Sequence, residues 1–130
     1  MTNSRQKGAR GEREWAAYLR EIGFADARRG QQFSGSPDSP DVAGGIPGTH
    51  PEVKRVERLN IHDAMKQACQ DASTLIPYVA HRRNRGQWLV TVRADDLQLF
   101  AAALLDGFQQ KCGEDREQAA EQAPDSSLDS

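Results

Sequence analysis

Apolar residues in "EREWAAYLREIGF" (12–24) recur at helical spacing. Trp15, Leu19 and Ile22 fall on one face and predict an amphipathic helix that ends at Gly23. Glu12 and Glu14 are expected in its first turn, where the helix dipole favours acids. The basic stretch before it, residues 1–11, reads as a lead-in. "ADARRGQQF" (25–33) reads as a short polar strand, followed by a Ser/Gly/Pro loop through Pro40. "DVAG" (41–44) and "PEVKRVE" (51–57) predict two strands joined by the turn "GIPGTH". Residues 60–73 predict a second helix, capped by Asn60, with Ile61, Met65 and Ala68 along its apolar stripe. The clearest strands are "IPYVAHR" (76–82) and "QWLVTV" (87–92), with "RNRG" turning between them. Residues 94–111 close the domain as an amphipathic helix. Helix, three strands, helix, two strands, helix is the order of an α/β fold in which helices flank a mixed sheet.

A length of 130 residues suits one domain with a modest core. The mean hydropathy of −0.76 is polar for a globular chain, and much of that polarity lies at one end. Residues 114–130 have almost no large apolar side chain and read as a disordered acidic tail. The domain, residues 1–113, holds 16 Lys and Arg against 13 Asp and Glu, while the tail holds one Arg against six acids. A pI of 5.9 therefore conceals a mildly basic body, which favours polyanionic partners. Cys69 and Cys112 are too few for a disulfide framework, and no His or Cys spacing matches a zinc site. Nor does any apolar run approach the length of a signal peptide or membrane span, so a reduced, cytoplasmic protein is expected.

Candidate chemistry concentrates in "SPDSPDVAGGIPGTHPEVKRVE" (36–57). Residues two apart on a strand share a face, so Glu52 and Lys54 point the same way while Val53 points to the core. If the glycine-rich turn closes a hairpin, Asp41 returns beside them. Two carboxylates and an ammonium would then converge at a sheet edge. Such a cluster suits Mg²⁺, which takes oxygen ligands, keeps several waters and is commonly held by one or two carboxylates plus substrate phosphate. A neighbouring lysine can orient water or offset developing charge. The plainer reading of Glu-x-Lys is an ion pair on one strand face, worth roughly 0.2–1 kcal/mol.

"PDV" followed by "EVK" resembles the PD-(D/E)xK nuclease superfamily, whose restriction-endonuclease-like core has the order αβββαβ. "KGARGEREWAAYLREIGF" is similar to the opening helix of the archaeal-type Holliday junction resolvase branch. "KRVERLNIHDAMKQACQDA" with "PYVAHRRNRGQWLVTV" resembles small phage-type endonucleases of that group. The resemblance spans about residues 5 to 96. It implies a Mg²⁺-dependent endodeoxyribonuclease, with Mn²⁺ as a substitute, acting on branched DNA as a homodimer. By position, Asp41 and Glu52 would be metal carboxylates, the Val53 carbonyl a third ligand and Lys54 the catalytic lysine. Glu12 matches a further acid directed at the metal or its water, and Gln67 a glutamine near the active site. Asp38 also follows a proline; Asp41 is preferred because Val42 and Ala43 let it begin a strand. Pro51 stands where the family has a strand-forming apolar residue, and is expected to mark the start of the strand. A frayed strand there motivates the alternative: a weak or inactive nuclease-fold protein that binds nucleic acid or a protein partner.

Basic residues surround this stretch. Arg5, Lys7, Arg10 and Arg13 lie beside Glu12, Arg28 and Arg29 precede the site, and Arg55 and Arg58 follow it. Arg82, Arg83 and Arg85 occupy a turn. Of these, Arg10, Arg28, Arg29, Arg55, Arg82, Arg83 and Arg85 are the candidate phosphate contacts for duplex or branched DNA. Aromatic residues are few and core-like, so backbone and shape recognition is expected over base stacking. Trp15, Trp88 and Leu89 read as core, His50 as an incidental turn residue, and "AAALLDGF" (101–108) as core or a dimer face.

Overall fold

The computed structural model describes residues 4–30 and 41–108. Asp38, Gln31 to Phe33, residues 109–111, expected to end the closing helix, and residues 114–130, expected to form an acidic tail, lie outside the described residues, as do the side chains of Arg5 and Lys7. The elements in chain order are α1 (Ser4–Ile22), β1 (Arg28–Arg29), β2 (Val42–Ala43), β3 (Thr49–Arg55), α2 (Ile61–Ala72), β4 (Ile76–Arg82) and β5 (Leu89–Val92). A 3₁₀ turn, Ala94–Asp96, leads into α3, residues 97–108. The fold is α/β, in the expected order of elements. Among the described residues no helix is long and apolar enough to cross a membrane.

Among the described residues the strands form two sheets. β3, β4 and β5 make a mixed sheet in which β3 runs parallel to β4 and β4 antiparallel to β5. The short β1 and β2 pair antiparallel as a separate ribbon, with Arg28 opposite Ala43 and Arg29 opposite Val42. The expected β2–β3 hairpin does not form. Gly44 explains part of this: its φ is +74°, and an added Cβ would lie 2.2 Å from the Asp26 carbonyl oxygen. Only glycine lets β2 approach that backbone so closely, and the approach commits β2 to β1.

One face of the mixed sheet carries Val53, Tyr78 and Ala80, which pack with Trp15, Ala16 and Leu19 of α1 and with Phe100 of α3. Trp15 Nε1 donates to the buried Tyr78 hydroxyl at 3.0 Å, so the largest core residue also has its polar atom satisfied. On the other face α2 lies over Val79 through Ala64 and Ala68, flanked by Leu59, Ile61 and Met65. Asn60 caps α2, its side chain accepting from the Asp63 N–H at 3.1 Å.

Several expectations are corrected. α1 begins at Ser4, so Glu12 and Glu14 lie mid-helix rather than in the first turn. Ile22 is 47% exposed and Leu89 56% exposed, because each sits at the end of its element, outside the area its partners cover. Trp88 is partly buried against Trp15, with ring centroids 5.0 Å apart. In α3, Phe100 is buried, Ala103 and Leu104 pack on the core, and Leu105 and Phe108 are exposed.

Candidate metal centre

The site is organised by β3, an edge strand of the mixed sheet. His50, Glu52 and Lys54 alternate along it and share a face with Val79, since Glu52 lies opposite Val79 in the register. That is the face α2 covers. Because α2 connects two parallel strands, it runs antiparallel to β3. Two residues along a strand span roughly 6.6 Å, and four along a helix about 6 Å. The two ladders therefore keep step: Lys54 meets Gln67, and one helical turn later His50 and Glu52 meet Asp71. Lys54 Nζ donates to Gln67 Oε1 at 3.4 Å and lies 3.3 Å from Glu52 Oε1. His50, Glu52 and Asp71 each bring a potential ligand atom within 4.8 Å of the others, and this group could hold a metal ion.

The open edge of β3 supplies the second side. The Val53 N–H donates to Asp41 Oδ2 at 3.1 Å. Asp41 therefore reaches β3 by its side chain, without the backbone pairing expected of a hairpin. N–H and C=O of one strand residue point to the same side, so the Val53 carbonyl also lies on this edge. Pro51, two residues earlier, would direct any N–H to that edge too, and a proline there costs no ladder bond. The strand in fact starts at Thr49 and runs through a buried Pro51 without fraying.

α1 closes the third side. Gly11 is where the helix crosses β3: an added Cβ would meet Arg55 Cβ at 3.2 Å and Val53 Cγ1 at 3.6 Å. That close crossing brings Glu12 next to the Asp41 charge. Arg29 Nε donates to Glu12 Oε2 at 2.8 Å.

Electrostatically the centre holds more acid than base. Glu52 is only 5% exposed, and burial pushes its carboxyl up to about 7. The Asp41 charge adds to the rise, while Lys54 opposes it. Burial likewise raises Asp41, against the lowering effect of the Val53 N–H and Lys54. Glu12 is raised by burial and by Asp41, with Arg29 opposing. His50, 3% exposed, is held below the usual histidine range by burial. Glu52 buried, with the Asp41 charge raising both it and Glu12, makes a site short of positive charge, the condition a divalent cation relieves.

Of the residues read from the sequence, Glu52, Lys54 and Gln67 gather on the α2 face of β3, while Asp41 meets the Val53 backbone at its open edge and Glu12 approaches from α1. His50 is corrected from an incidental turn residue to the second residue of β3, within the cluster. Asp71 was missed; its signal was its place one turn beyond Gln67 on the same helix face. Among the basic residues, Arg10, Arg55 and Arg82 gather on Glu14 at 3.1, 2.9 and 3.5 Å. Arg82 also lies over the Trp88 ring. Arg28, Arg83 and Arg85 are exposed. No family model, curated protein or solved structure matches this chain.

Proposed function

We propose that this protein is a divalent-metal-dependent endonuclease of the PD-(D/E)xK kind, hydrolysing phosphodiester bonds of duplex or branched DNA. The observation that carries this reading is that Asp41, reaching β3 from a separate segment at its open edge, lies close enough for its charge to act on Glu52, which pairs with Lys54. The donor set of carboxylates and a strand carbonyl suits Mg²⁺ or Mn²⁺. When bound, the ion would activate water and offset charge on the phosphate. Asp41 and Glu52 hold the position, with the Val53 carbonyl on the same edge. Lys54, steadied by Gln67, places an ammonium where it can orient the water or meet developing negative charge. Glu12 adds an acid on the α1 side. The exposed Arg28, Arg83 and Arg85 are available to phosphates; Arg10, Arg29, Arg55 and Arg82 already neutralise Glu12 and Glu14 and would contribute by sharing. A Holliday junction as substrate, and a homodimer to cut it, belong to the same proposal.

A panel of four-way junction, flap, nicked duplex and linear DNA tests it, each with Mg²⁺, with Mn²⁺ and with chelator. Cutting should require the metal and disappear in Glu52→Ala and Lys54→Ala. Cutting that persists in both variants refutes the site assignment. The alternative, binding without cleavage, predicts a salt-dependent gel shift with every substrate left intact.

A further inference from the structure

We infer that β3 and α2 form a second cation position, built from His50, Glu52 and Asp71, that selects a borderline transition ion such as Mn²⁺ or Zn²⁺ over Mg²⁺. It lies on the α2 face of β3, whereas Asp41 approaches from the open edge, and it takes no donor from the β2 segment. Glu52 is common to both positions.

Three independent features point to a ligand here. The potential ligand atoms of the three side chains lie within 4.8 Å of one another. His50 is 3% exposed and Glu52 5% exposed, so two of the three potential ligands are shielded from water. Asp71 lies in the last turn of α2, at the negative end of the helix dipole. That turn holds no basic residue, and Asp71 joins no ion pair among the described residues. A cation placed among these groups would offset both carboxylates and take the imidazole as a further donor.

The identity follows from donor chemistry. Mg²⁺ takes oxygen almost exclusively, while imidazole suits later first-row ions, and one imidazole with two carboxylates fits Zn²⁺ and Mn²⁺. This position does not depend on the chain cutting DNA, and its test uses none.

Full-length protein is titrated with ZnCl₂ by calorimetry in the presence of excess MgCl₂, and its Mn²⁺-loaded form is examined by electron spin-echo envelope modulation. Zinc should bind despite the magnesium. Loss of a direct ligand in His50→Gln or Asp71→Asn should weaken it by about 100-fold or more. Asp41→Asn should retain zinc binding within a few-fold. The Mn²⁺ spectrum should show ¹⁴N modulation from a directly bound imidazole, absent in His50→Gln. The proposal is overturned if zinc is not taken up, or if Asp41→Asn abolishes uptake while Asp71→Asn does not. It is equally overturned if bound Mn²⁺ in the unmutated protein gives no ¹⁴N modulation, a result that needs no variant to fold.

Discussion

Replacing Glu52 by glutamine should stabilise the metal-free protein at high pH and leave it almost unchanged at low pH. The folded-state carboxyl of Glu52 is raised from 4.5 to about 7, chiefly by burial and then by Asp41. The folded state therefore holds a proton that the unfolded chain has released between those values, so stability must fall as pH rises through that window. Below 4.5 both states are protonated and no penalty exists. Above 7 it is complete, and a shift of this size corresponds to about 3 kcal/mol. Glutamine has the shape of the neutral acid, so Glu52→Gln should behave like the low-pH protein at every pH. Urea denaturation with chelator present, at pH 5, 6, 7 and 8, measures the difference. The variant should gain little at pH 5 and about 3 kcal/mol at pH 8. Asp41 titrates in both proteins and largely cancels. Stability profiles that run parallel across this range would refute the idea that Glu52 is an ionised acid buried at a cost. Under the proposed function, Mg²⁺ at pH 8 should stabilise the unmutated protein more than the variant.

Gly44 and Gly48 both have φ of +74°, but an added Cβ meets the Asp26 carbonyl only at Gly44, with nothing within 4 Å at Gly48. Gly48→Ala should cost about 1 kcal/mol from backbone strain, and Gly44→Ala at least about 1 kcal/mol more from the clash; equal thermal midpoints would show that the approach of β2 to Asp26 is not tight. Asp41→Ala removes the acceptor of the Val53 N–H, so hydrogen exchange at that amide should accelerate, whereas Asp41→Asn, which keeps a carbonyl oxygen, should preserve most of its protection.

The sequence by itself determined the order of the elements, the faces of β3 and the capped start of α2. Each is encoded locally: alternation sets Glu52 and Lys54 on one side and Val53 on the other, and Asn60 bonds an amide three residues away. Of the residues singled out in the sequence, Lys54 does meet Glu52 and Gln67, and Asp41 does reach Val53, while their roles belong to the proposed function. Only the tertiary structure decided which segment covers each face. Nothing local to Asp41 says that its side chain, rather than its backbone, reaches β3, because the choice turns on Gly44 lying against Asp26, 18 residues earlier in the chain. Nothing local to Asp71 or His50 joins them. Their meeting depends on α2 running antiparallel to β3, so that a helical turn and two strand residues advance by nearly the same length. Periodicity states which side chains point together; long-range packing alone states what they point at.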